Sequence, residues 1–288
     1  MTRAFRPRSL DEALALLADG ELAARAIAGC TDVLASDAAA GRVPPAVVDL
    51  SRLAELRDIR TAGEEIDIGA AVTFAELRAD RLVRRHLPAL AEAAATIGAW
   101  QIQNRATLGG NAANASPAGD SLPVLLALGA RLDLASAAGA RSLAYDDFHL
   151  DYRRTALGPG ELIVRLRLPV PPPGSVQRFE KVGTRSASAI SKVVVAFAAR
   201  RRGACIEGVR LAAGSVGPVP RRLEAAEAVL EGATPATGLA EAAAAAAAAE
   251  VRPIDDVRST AAYRRWVLGR LVRRWVLDLT GPDALSTD

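Results

Sequence analysis

Pro171-Pro172-Pro173-Gly174 divides this chain. Three consecutive prolines offer no backbone N–H, so neither a helix interior nor a central strand can run through them. Residues 1–170 and 175–288 are therefore read as separate units. Upstream, Ser9 to Glu12 forms a capping box ahead of an apolar helical stripe at Leu10, Ala13, Leu14 and Leu17. A short strand at 26–28 then runs into Gly29, a helix is expected over 33–40, and a strand over 46–50, the order of a small βαβ unit. Strands at 56–61 and 65–68 precede helices at 74–79 and 88–96. Downstream of the prolines, three antiparallel strands (177–182, 193–200, 207–213) lead into helices at 221–230, 242–249 and 260–279. Strands followed by helices make this second unit an α+β domain.

The least ordinary stretch of the chain runs from Thr96 to Asp120. It is rich in Gly, Asn, Ser and Thr, yet it is almost uncharged and flanked by apolar residues. Linkers are normally more polar and more charged, so this segment is read as part of a site.

Composition removes several classes of chemistry. Cys30 and Cys205 are the only cysteines, too few for an iron–sulfur cluster or a four-cysteine zinc site, and too few for a disulfide-dense secreted fold. Two histidines, His86 and His149, leave little for metal ligation. Of 36 Lys+Arg, only Lys181 and Lys192 are lysines, so a tunable ammonium has just two candidate positions. The net charge of +3 comes from scattered arginine with 4% aromatics, which does not describe a nucleic-acid binder. No apolar run is long enough to span a membrane, and no signal-peptide core is seen, so a cytoplasmic protein is expected. Any redox chemistry must be carried by an organic cofactor.

Two loops could bring backbone close to such a group: Gly29-Cys30-Thr31-Asp32 and Gly109-Gly110-Asn111. Backbone N–H groups with no Cβ in the way hold a pyrophosphate well, although Gly-Gly-Asn is equally the composition of a simple turn. Neither loop fits the G-x-G-x-x-G or G-x-x-x-x-G-K-[ST] pattern.

Taken together, the segments Ile97-Gly98, Gln101-Ile102, Asn104-Arg105, Thr107 to Asn111 and Ala113 to Asp120 resemble the flavin signature of the molybdenum hydroxylases, the xanthine dehydrogenase and aerobic carbon monoxide dehydrogenase family, in its separate FAD-binding medium subunit. The likeness covers nearly the whole chain. Ala28 to Asp32 matches the family's first loop, and Ile68-Gly69-Ala70-Ala71-Val72-Thr73 a second conserved stretch of its pattern. Tyr152 to Leu157 and Gly160 to Ile163 match the end of the FAD domain. Phe179, Lys181 and Arg185, then Arg258 to Arg265, match the C-terminal domain.

The resemblance implies a two-lobed FAD-binding domain of the PCMH/vanillyl-alcohol-oxidase-like type over residues 1–170, with lobes at about 1–55 and 56–170. A smaller α+β domain would follow over 175–288. Ala28, Gly29, Cys30, Thr31 and Asp32 would grip the FAD pyrophosphate from one side, and Thr107, Gly109, Gly110 and Asn111 from the other. Asn114 and Ser116 would add hydrogen bonds near the ribityl and phosphate region, and Asp120 would contact the ribityl or adenosine side. Ile163 would lie against the isoalloxazine ring, and Lys181 would approach its pyrimidine edge, where an ammonium stabilises the anionic reduced flavin.

The implied function is electron transfer. A small [2Fe-2S] subunit would deliver electrons from a large molybdenum-cofactor subunit, and an acceptor such as NAD+ or a quinone would take them. A stand-alone FAD-dependent oxidoreductase on the same scaffold is the alternative. One departure stands out: Cys30 replaces the family's usual glycine. If that position needs φ > 0, the loop is wider, flavin is held more weakly, or a thiol stands beside the cofactor. Trp100 and Gln103 also depart from the pattern. Arg264-Arg265 and Arg273-Arg274 around Trp266, Val267, Leu271 and Trp275 read as the polar flanks of an amphipathic helix, and Asp146-Asp147 as water-facing acids.

Overall fold

The computed structural model describes residues 2–33, 41, 44–185 and 188–280. The helix expected at 33–40 lies outside the described residues apart from its first position. The N-terminal lobe contains β1 (Arg3–Phe5), α1 (Leu10–Ala18), β2 (Ala24–Ile27) and β3 (Ala46–Asp49). β3 lies between β1 and β2, parallel to both. Ser9 caps α1 by accepting the Glu12 N–H at 3.2 Å, while the Glu12 carboxylate accepts the N–H of Arg8. Ala13 and Leu14 then pack on Val48 and Leu50.

The second lobe is built on an antiparallel sheet with strand order β4-β5-β10-β6-β7. In chain order these are β4 (Ile59–Ala62), β5 (Glu65–Gly69), β6 (Arg131–Ser136), β7 (Gly139–Ala144) and, after a small hairpin of β8 (His149–Asp151) and β9 (Arg154–Thr155), β10 (Leu162–Pro169). Six short helices fill the gap between β5 and β6: α2 (Phe74–Ala79), α3 (Arg81–His86), α4 (Pro88–Thr96), α5 (Trp100–Gln103), α6 (Leu108–Asn114) and α7 (Ser121–Ala127). Thr73 and Glu76 close a reciprocal capping box on α2. Gly109-Gly110-Asn111, expected as a loop, forms the first turn of α6 under a Thr107 cap.

Beyond the prolines come β11 (Ser175–Val182), β12 (Val193–Arg202), β13 (Cys205–Gly214) and β14 (Arg221–Arg222), then α8 (Glu224–Leu230), α9 (Thr237–Glu250) and α10 (Ala261–Asp278). The helix expected from 221 starts at Glu224, because Arg221 and Arg222 pair with β13 and add a short fourth strand to the three expected. Residues Val193, Val195 and Phe197 of β12 face α8–α10, whereas Ala196, with Ala212 of β13, joins the core of the second lobe. Alternate residues of one strand thus enter two different cores. That explains why the strand is an almost unbroken apolar run: both faces of its sheet are covered. The cover on the second face is α4 and α7, and every residue of α7 is buried. This mixture of helix and strand is the α+β class expected. No helix among the described residues is long and apolar enough to cross a membrane.

Candidate functional site

Where the second lobe meets the C-terminal sheet there is a cavity of about 890 Å³, within the range of organic ligand and cofactor sites. Of the residues expected at a cofactor, it is lined by Thr31, Asp32, Asn111, Asn114, Ser116, Asp120 and Lys181. These come from three separate parts of the sequence.

The wall on the N-terminal side is assembled by close approach of backbone to backbone. A Cβ on Gly29 would lie 2.0 Å from the carbonyl oxygen of Arg105, so its absence lets the first loop seat on the segment leading into α6. A Cβ on Gly109 would meet the Ala70 Cβ at 2.5 Å. Gly109 N–H and Leu108 N–H donate to the carbonyls of Ala70 and Val72, both at 3.0 Å. Gly69 in turn allows that stretch to pack on the Leu56 carbonyl. Three glycine motifs are therefore fastened together, and their glycines serve contact between chain segments. Across the mouth, Arg153 donates to Asn114 Oδ1 at 3.3 Å, and Asn114 Nδ2 donates to Asp32 Oδ1 at 3.0 Å.

The opposite wall is made of charge and hydroxyls. Lys181 Nζ donates to Asp120 Oδ2 at 2.6 Å and to the Thr96 carbonyl at 2.9 Å, and Ser191 Oγ donates to Asp120 Oδ1. Asp120 is 6% exposed. Burial pushes its carboxyl above the usual range, opposed by the Lys181 ammonium and the hydroxyl donors. Lys181, expected at the flavin's pyrimidine edge, is thus half of a buried ion pair. Beside it, Arg264 lines the cavity at 3% exposure. The polar-flank reading of that arginine is overturned. It falls three and four residues before Val267 and Leu268, on the same buried stripe of α10 as Leu271 and Trp275. That spacing is a signal in the sequence that could have placed it inward.

The remaining expected residues take other positions. Ala28, Gly29 and Cys30 are half-buried in the first loop, next to Thr31 but off the cavity lining, as are Thr107, Gly109 and exposed Gly110. Ile163 is 6% exposed in the core of the second lobe, also off the lining. Cys30 has φ +61°, so the position does require the left-handed region. Burial, with Asp49, raises the Cys30 thiol pKa against the pull of Arg105, which keeps it protonated. Trp100 is exposed with the Arg78 guanidinium 4.3 Å from its ring centre. Gln103 is buried, accepting from Arg78 and donating to the Ala95 carbonyl. Asp146 is a cross-domain ion-pair partner of Arg210 and Arg222. Composition alone did not mark Tyr152, Ile190, Arg252 or Ile254, which also line the cavity.

Residues 1–171 match the family model described as the FAD binding domain in molybdopterin dehydrogenase, and residues 178–279 match that of the CO dehydrogenase flavoprotein C-terminal domain. The chain belongs to the FAD-binding medium subunits of the molybdenum hydroxylases. Among members of this family, the carbon monoxide dehydrogenase medium chain of Hydrogenophaga pseudoflava is 32% identical over 271 residues, covering 93% of each chain. The xanthine dehydrogenase FAD-binding subunit of Escherichia coli O157:H7 is 32% identical over 271 residues, covering 93% of this chain and 92% of that one. A solved structure of carbon monoxide dehydrogenase from Hydrogenophaga pseudoflava superposes with a TM-score of 0.91 at 33% identity, covering 95% of each chain.

As a medium-subunit flavoprotein, the chain is an oxidoreductase component whose cofactor is FAD. The cavity fits that group by its volume and by its donors. Hydroxyls and amides of Thr31, Asn111, Asn114 and Ser116 line it together with the Asp120–Lys181 pair.

Proposed function

We propose that this chain is the electron-transfer subunit of a three-part dehydrogenase. A large molybdenum-cofactor subunit and a small [2Fe-2S] subunit are its partners, and it works in the cytoplasm. When bound, FAD supplies the redox chemistry, with electrons arriving from the [2Fe-2S] partner and leaving to an external acceptor such as NAD+ or a quinone. Residues 1–170 form the FAD-binding domain and residues 175–288 the C-terminal domain. The observation that carries the reading is the convergence of seven expected flavin residues from three sequence segments on one cavity.

Two groups of lining residues divide the work. Thr31, Asp32, Asn111 and Asn114 hold the pyrophosphate side, with Ala28 to Cys30 and Thr107 to Gly110 shaping the loops behind them. Lys181 and Asp120 present an ammonium and a carboxylate 2.6 Å apart to the isoalloxazine end. Because the ammonium is compensated, the field at the flavin is set by the pair.

Affinity purification of the native protein tests the assignment. Co-purification with a molybdenum subunit and an iron–sulfur subunit, and an oxidised-flavin absorbance band, are expected. A flavin-loaded chain that never associates with such partners, and whose flavin is reduced directly by a small-molecule substrate, would overturn it.

A further inference from the structure

We propose that Arg264 is a positioning residue that holds the Asp120–Lys181 pair in place at the cavity, acting through the backbone of Ser191–Lys192 and of Ser215. The inference rests on the flavin reading above and adds a residue to it. One Nη of Arg264 donates to the Lys192 carbonyl at 2.7 Å and the Ser215 carbonyl at 2.9 Å, and the other to Asp256 Oδ1 at 2.8 Å. Those two carbonyls lie just before β12 and just after β13, where neighbouring strands leave the sheet and reach the cavity. The guanidinium is deeply buried, and its two Nη groups are spread across two chain segments and a carboxylate, while its Nε finds no hydrogen-bond partner among the described residues.

The contacts continue from there to the pair itself. Ser215 sits at φ +62°, a conformation that disfavours any residue with a Cβ. It is held there on three sides: its carbonyl on Arg264, its Oγ on the Ser191 carbonyl at 3.0 Å, and its N–H on the Pro117 carbonyl at 2.7 Å. Ser191 then turns its own hydroxyl onto Asp120, whose other oxygen accepts from Lys181. One guanidinium thus fixes Ser215 against the Pro117 segment of the cavity and Ser191 against Asp120. Releasing it lets the Ser191 hydroxyl withdraw, and a buried carboxylate that loses a donor takes up a proton more readily. The Lys181 ammonium is then uncompensated, which favours the reduced, anionic cofactor.

The test is a redox titration of the FAD-loaded full chain, wild type against Arg264→Lys, Ser191→Ala and the double variant. Arg264→Lys keeps the charge but cannot span both carbonyls and the Asp256 carboxylate. Both single variants are expected to shift the flavin midpoint potential upward, with the double variant shifted no further than the larger single one. A merely structural arginine would lower the melting temperature and leave the potential unmoved, which overturns the inference, as do additive shifts. Ser191→Ala removes only a hydroxyl, so an unchanged potential in that variant breaks the link to Asp120 even if Arg264→Lys fails to fold. A wild-type chain that holds no FAD removes the flavin reading itself, whereas a loaded wild type with unresponsive variants removes only the role of Arg264.

Discussion

The two walls of the cavity solve the same problem with different physics. The N-terminal wall is backbone on backbone, made possible by three glycines with no room for a side chain: Gly29 on Arg105, Gly69 on Leu56 and Gly109 on Ala70. The C-terminal wall is built on side chains, an Asp120–Lys181 pair held by the Ser191 hydroxyl and tied through the Ser191 and Ser215 backbone carbonyls to Arg264. The first is intolerant of added atoms and indifferent to charge. The second should tolerate changes of shape and respond to charge and pH.

The largest effect is expected where the backbone wall is forced apart. Gly109→Val places a Cβ against Ala70, its carbonyl oxygen included, and neither can retreat without unseating α6 from residues 70–72. Flavin content of the purified protein should fall to background, while an isosteric change on the other wall leaves it measurable. Lys181→Met comes next. It strands a buried carboxylate, and breaking such a pair costs on the order of 3–5 kcal/mol. Urea unfolding should show that loss, and adding Asp120→Asn should recover part of it.

The pH response separates the walls further. Burial raises the Asp120 carboxyl in the folded state, so the fold holds that proton more tightly than the unfolded chain does. Its contribution to stability is full below the ordinary value of 3.8 and declines as pH rises through the raised folded value. Asp120→Asn should flatten that part of a stability–pH curve, and changes on the glycine wall should leave its shape alone. The smallest effect is expected at Cys30. Glycine at φ +61° relieves a left-handed strain of about 1 kcal/mol, partly offset by the greater freedom of glycine in the unfolded chain. Cys30→Gly should raise the melting temperature slightly and tighten flavin retention. A drop in either would show that the thiol contributes to packing.

Much of the fold was legible because local rules agreed with the tertiary outcome. The capped starts of α1 and α2, the strands β11 to β13 and the long helix α10 follow from periodicity and capping residues. Less legible was the start of α6, where two glycines disfavour helix yet lie in its first turn, because tertiary hydrogen bonds from Leu108 and Gly109 to residues 70–72 override propensity. Asp146 faces water as expected, but its ion pairs with Arg210 and Arg222, distant in sequence, were not legible.

At the site, the sequence by itself determined which residue types were on hand: two glycine-bearing loops, a run of amides and hydroxyls before Asp120, and a single lysine at the matching position of the C-terminal domain. Tertiary structure decided how they are used. It turned Gly29 and Gly109 toward other backbone, buried Ile163 away from the cavity, and compensated Lys181 with Asp120. The reason is physical. Close approach and ion pairing depend on which atoms meet across distant segments, and a one-dimensional pattern records the atoms but not the meeting.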